Sequence, residues 1–232
     1  MKYFISLLTL LVLSCTKSSI SPESIAVVDY CPLVVGNWID YSVSVVVTDA
    51  KTKLYDTTTY LLREEVDRLI DTLGGESKYR LVRSVRANAQ SVWQDLDAIL
   101  VIKTARSVIR QENNTPVLSL SVPLFRAKKW NGNAYNTLDA VRFSVKSINI
   151  ADAQYPLFDS VLTVMHAESE SLIDYQFVSE KYAFNLGLIE QTNIDAYSGT
   201  LSVDASGQPV PVLMRADKSS IFNKKYISHG HR

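Results

Sequence analysis

From Trp38 to Thr48 apolar and polar positions alternate: Trp38, Tyr41, Val43, Val45 and Val47 interleave with Asp40, Ser42, Ser44 and Thr48. A period near two, rich in β-branched residues, predicts a strand with one wet face. Residues 57–73 fit two patterns, because Leu62, Val66, Leu69, Ile70 and Leu73 keep helical spacing while Tyr60, Leu62, Val66 and Ile70 share one face of a strand. The Thr57-Thr58-Thr59-Tyr60 start, and Gly74-Gly75 ahead of Lys78–Val85, favour a strand followed by a hairpin. Ala98–Arg110 reads as one strand that stops at a turn holding Asn113-Asn114 and Pro116; Val117–Val122 is another, halted by Pro123. Asn131-Gly132 is the strongest tight-turn dipeptide in the chain. Val141–Ile150, Ser160–Ala167, Leu172–Val178, Tyr182–Glu190 and Gly199–Val203 continue the series. The pattern predicts about eight to ten strands and an all-β, mainly antiparallel fold: a curved sheet, partial barrel or sandwich over residues 29–217, with few or no helices. The basic segment 218–232 is expected to fray as a C-terminal tail.

The amino terminus follows a different rule. Lys2 precedes the apolar run Ile5–Leu13, which has the build of an export signal and is too short for the roughly 20 residues of a membrane-spanning helix. The run ends in Val12-Leu13-Ser14-Cys15, which resembles the lipobox of bacterial lipoproteins. That resemblance implies removal of residues 1–14 and acylation of Cys15, with the membrane as a partner through the lipid. A single acyl chain holds marginally, at about 0.8 kcal/mol per buried methylene, so two or three chains on one residue make a lasting anchor. Residues 15–28 then read as a flexible tether, because Thr16–Glu23 is polar, Ser-rich and broken by Pro22.

Charge and composition narrow the chemistry. Lys plus Arg and Asp plus Glu both total 24, a formal net charge of +0, which provides no field for binding nucleic acid. With 2 Cys and 3 His, neither a disulfide framework nor a multi-histidine metal centre is expected, and no cofactor-binding loop is present. Cys31, between Tyr30 and Pro32, reads as a small buried hydrophobe. His229 and His231 fall in the expected tail, leaving His166 as the one histidine inside the fold. Carboxylate neighbours such as Glu64-Glu65 and Asp95 with Asp97 read as solvated faces. No catalytic residue is assigned. Trp38, Tyr41, Trp93 and Trp130 are the candidate ligand contacts, should any of them line a concave sheet. The expected activity is therefore non-catalytic binding or scaffolding of an envelope protein or an apolar ligand. Two rivals are an acyl-chain carrier and a hydrolase built non-locally around His166.

Four islands carry a wider resemblance: Tyr30–Tyr41, Tyr79–Arg83, Pro123-Leu124 with Lys129–Asn133, and Glu180–Ile189. Their order is similar to that in uncharacterised lipoproteins of Bacteroidetes, whose opening reads "PLxxGNxWxY" and whose close reads "YAxxVGLI". Here Trp38 stands one place early and Leu186 replaces the usual valine. The resemblance implies a mainly β fold and assigns no activity. In such proteins an acidic run after the lipidated cysteine resembles a signal for surface display. Thr16-Lys17-Ser18-Ser19-Ile20 has none, which implies the periplasmic side of the outer membrane.

Overall fold

The computed structural model describes residues 30–232, so Cys15 and the signal and tether readings lie outside the described residues. Twelve strands form one sheet: β1 (Asn37–Asp49), β2 (Leu54–Leu73), β3 (Glu76–Arg86), β4 (Gln94–Lys103), β5 (Ser107–Glu112), β6 (Thr115–Ser121), β7 (Lys129–Asn131), β8 (Arg142–Ile150), β9 (Val161–Glu170), β10 (Asp174–Ala183), β11 (Gly187–Tyr197) and β12 (Lys218–His231). Every pairing is antiparallel, and the spatial order β6-β5-β4-β3-β2-β1-β12-β11-β10-β9-β8-β7 is the chain order read round a circle. The first and last strands, β1 and β12, pair with each other, and the two free edges, β6 and β7, come from mid-chain. They are drawn together by Leu118 N–H donating to the Gly132 carbonyl (2.8 Å) and by the Trp130 indole donating to the Leu118 carbonyl (2.8 Å). The sheet is thus nearly closed into an up-and-down barrel.

The basic segment 218–232 does not fray. It is β12, hydrogen-bonded on both sides between β1 and β11, from Asn37 opposite His231 to Asp49 opposite Lys218. Its lysines suggest a solvated tail, yet Phe222 and Lys224 alternate onto the barrel interior, where Lys224 is only 2% exposed. Residues 57–73 are strand, within β2, and their mixed periodicity has a structural cause. Register shifts at Val66/Arg68 and Leu69/Asp71 each advance the phase by one residue, so a bulged strand imitates helical spacing.

Other boundaries move for local reasons. Ala98–Arg110 divides into β4 and β5, because the Thr104 N–H donates to the Ser107 carbonyl (2.9 Å) and the two hydroxyls share a 2.8 Å hydrogen bond, a turn that needs neither Gly nor Pro. Tyr182–Glu190 straddles the β10–β11 turn, where Asn185 and Gly187 take positive φ. Gly199–Val203 is loop, holding a single bridge from Val203 to Pro209. The tight turns with two positive-φ residues are Gly74-Gly75 and Asn113-Asn114, whereas Asn131-Gly132 has none. Gly132 is needed for a close approach instead: a Cβ there would lie 2.4 Å from the Phe143 ring.

A barrel of about eight strands can be filled by its own side chains, and larger ones leave room. Here the segment Tyr30–Leu33 enters one end, with Tyr30 fully buried in the main apolar cluster together with Val101, Val108, Leu120, Leu162 and Val164. That end, where β1 begins, is called lower. A smaller interior cluster of Tyr41, Val43 and Leu62 lies on β1 and β2. Among the exposed large apolar side chains, Val92 and Leu157 lie in loops and Met214 ends a single 3-10 turn, Val212–Met214.

Candidate functional site

Strand alternation places charged side chains on the same faces as the core. On β2, Leu62 and Val66 belong to the two interior clusters, and Glu64, 6% exposed, lies between them. On β3, Leu81 and Val85 flank Arg83 in the same way, and on β12 Lys224 follows Phe222 at the same spacing. Arg110 and Glu112 continue the inward face of β5 beyond Val108. These residues meet in a belt across the barrel. Arg110 donates to Glu64 at 3.2–3.3 Å and to Glu112 at 3.0 Å, while the Lys224 ammonium donates to Glu64 at 3.1 Å. Arg83 bridges Glu112 at 3.0 Å and Asp97 through two 2.6 Å bonds.

Burial sets the electrostatics of the belt. Desolvation alone would raise the Glu64 pKa, but Arg110 and Lys224 outweigh it and hold the carboxyl far below the usual carboxylate range. Burial draws the Lys224 pKa down, with Glu64 opposing only in part. Farther round, the Glu180 carboxyl accepts a 2.5 Å hydrogen bond from the Tyr182 hydroxyl and lies 3.3 Å from His166 Nε2. Burial of Glu180 is again outweighed, chiefly by His166, and its pKa is held down to about 2. Glu64-Glu65 is therefore not a solvated face, since Glu64 anchors the interior; Glu65 pairs with Arg232.

The belt separates two chambers. The lower one has a volume of about 450 Å³, and its walls include Leu33, Ile39, Val66, Leu81, Val101 and Leu188. Glu64 and Arg110 form its polar boundary, and it reaches the lower rim between Asn37, Asn185 and His231. Trp38 and Tyr41 both line it. Tyr41 donates its hydroxyl to the Leu188 carbonyl (2.8 Å), and Trp38 packs over Gly230, where a Cβ would come within 2.5 Å of the indole. Cys31 also lines this chamber, as a half-buried thiol whose pKa burial pushes up, Lys103 and Arg110 offsetting part of the rise. The raised pKa keeps it a protonated, apolar wall residue.

Trp93 and Trp130 line neither chamber. Trp93 is held beneath the guanidinium groups of Arg63 (4.8 Å) and Arg86 (4.3 Å), and Trp130 works at the β6–β7 seam. His166 lies in β9 with its ring stacked on Phe143 at 3.7 Å, and among the described residues no hydroxyl or thiol hydrogen-bonds to it. The described residues contain no group of three or more His, Cys, Asp or Glu placed to hold a metal ion, and no helix long and apolar enough to cross a membrane. Comparison of the chain with known protein families, with curated proteins and with solved structures finds no match.

Proposed function

We propose that this chain is a lipid-tethered protein of the cell envelope whose barrel holds an apolar molecule in its lower chamber. The observation that carries the reading is the chamber itself: about 450 Å³ walled by aliphatic side chains, within the size range of small-molecule sites. Its polar boundary favours a neutral ligand, because Glu64 and Arg110 already satisfy each other and a ligand charge would break a buried pair. The sequence supports the tether through Val12-Leu13-Ser14-Cys15 and through the likeness of four islands to Bacteroidetes lipoproteins, a reading that favours the periplasmic face of the outer membrane. The two halves of the proposal fit together. Residue 30 enters at the lower end, and a coil of the tether's length averages about 20 Å end to end, so an acylated Cys15 would keep the chamber mouth within reach of the bilayer. Binding needs no reactive group, and the proposal assigns none.

The neutral apolar dye phenylnaphthylamine tests the chamber. The purified protein is expected to enhance its fluorescence saturably with micromolar affinity, and Val101→Trp, which fills the chamber, to weaken that uptake by about ten-fold or more. Leu188→Phe supplies a gentler filling variant should the first not fold. Wild-type protein that leaves the dye dark overturns the reading. Mass spectrometry of the native amino terminus tests the tether separately, with an acylated Cys15 expected and a free terminus elsewhere in the chain contradicting it.

A further inference from the structure

The upper chamber, on the other side of the belt, has a volume of about 460 Å³ and a different lining: Thr115, Ser119, His166, Gln176 and Gln191 beside the belt residues Arg110, Glu112 and Glu180. It lies towards the upper strand ends, where Thr115, Asn133 and Val141 border it. Two strand irregularities shape it. Val108 pairs with Leu120 and Ile109 with Leu118, which leaves Ser119 as the bulged residue of β6. Val178 pairs with Ala167 and Ser179 with Met165, which leaves His166 as the bulged residue of β9. A bulge costs ladder hydrogen bonds and re-aims a side chain, and here both re-aimed side chains line one cavity.

The charges in this chamber are already engaged. Arg110 is shared between Glu64 and Glu112, Glu112 between Arg83 and Arg110, and Glu180 between the Tyr182 hydroxyl and His166. What remains unengaged is neutral and two-sided. The hydroxyls of Thr115 and Ser119 and the amides of Gln176 and Gln191 have no hydrogen-bond partner in the protein, and each can both donate and accept. His166 Nε2, buried 3.3 Å from the Glu180 carboxylate without the alignment of a hydrogen bond, belongs with the engaged charges and closes this side of the chamber. Val117, Val141 and Val178 provide apolar wall between these groups.

We propose that the upper chamber is a second binding site, selective for a small neutral polyhydroxylated molecule, that is, a small saccharide. Sugar hydroxyls donate and accept at once, which matches these amides and hydroxyls, and the C–H face of a sugar ring matches the valine wall. A free anion or cation would have to compete with a belt whose charges are mutually satisfied, at the cost of stranding one of them. This site is independent of the apolar reading of the lower chamber.

Side-chain amide and histidine-ring NMR of the full chain, titrated separately with glucose, N-acetylglucosamine and maltose, is the test. At least one of these sugars is expected to give saturable shifts at Gln176, Gln191 and His166. The double variant Gln176→Leu with Gln191→Leu is expected to weaken that binding by about ten-fold or more, as the loss of two hydrogen bonds implies. Unchanged phenylnaphthylamine uptake certifies that the variant is folded; if the dye reading has itself failed, an unchanged urea midpoint serves instead. Absence of saturable shifts with all three sugars overturns the proposal, as does binding that the double variant retains. Tighter binding of inorganic phosphate in the same chamber also overturns it, by showing that Arg110 is free to take an anion.

Discussion

Deleting residues 218–232 is expected to abolish cooperative folding. Part of the reason is the ladder: β12 pairs with β1 from Asn37–His231 to Asp49–Lys218 and with β11 from Glu190–Lys225 to Tyr197–Lys218, so its loss cuts the sheet where the last strand joins the first. The other part is the interior. Phe222 leaves the apolar cluster of Tyr41, Val43 and Leu62, and Lys224 leaves Glu64. The cut also exposes β1 and β11 as long new edges, which invite pairing between chains. Urea titration followed by tryptophan fluorescence should show a sigmoidal transition for the full chain and a featureless or aggregating response for the truncated one. A truncated chain that keeps the full-length midpoint would show that the barrel does not depend on this closure.

The same segment shows how far composition can be read. The all-β class and antiparallel pairing are legible because alternation is a local signal, and Trp38–Thr48 and Val141–Ile150 carry it plainly. Residues 218–232 mislead because Lys224 and Lys225 look alike in sequence, although one faces Glu64 inside the barrel and the other its strand's opposite side. That difference rests on a partner 160 residues away. The β4–β5 turn hides because its stabilising groups, Thr104 and Ser107, are common strand residues as well. Closure into a barrel rests on contacts of Leu118 with Gly132 and Trp130 across the seam, for which no local pattern exists.

The site divides along similar lines. Trp38 and Tyr41 are legible as large aromatics on one strand, and both line the lower chamber. Trp93 and Trp130 have the same sequence signature and serve elsewhere, since only the sheet's curvature decides which strands enclose the cavity. The belt is the larger omission, and a signal for it exists. Leu62-x-Glu64-x-Val66, Leu81-x-Arg83-x-Val85 and Phe222-x-Lys224 each set a charge on an otherwise apolar strand face. One such charge is a costly burial; several of opposite sign on neighbouring strands point to a paired interior. Ser119 and His166 in the upper chamber carry no comparable mark, because bulges are visible only once two strands are paired.

Glu64→Gln is expected to destabilise the barrel by about 3–5 kcal/mol, the cost of removing one partner from a buried ion pair. The substitution keeps the side chain's size and takes from Lys224 its one ion-pair partner among the described residues while Arg110 keeps only Glu112, so the two cations face each other with one carboxylate fewer between them. Lys224→Met should cost less, because Glu64 retains Arg110; in the double variant the two losses should add to less than their sum, with a coupling of about 0.5–3 kcal/mol. Acid performs the same removal by protonation. The folded pKa of Glu64 lies below its unfolded value, so the stabilisation it supplies is complete above the usual carboxylate range and is lost as pH falls towards the folded value; Glu180, held to about 2, adds a second loss of the same sign. Wild-type stability in urea should therefore decline steeply between about pH 4.5 and pH 2, and Glu64→Gln should start lower and decline less steeply. Equal acid slopes for the two proteins, or a penalty for Glu64→Gln below about 1 kcal/mol, the scale of a surface pair, would mean that Glu64 is not the buried, stabilising partner of Arg110 and Lys224.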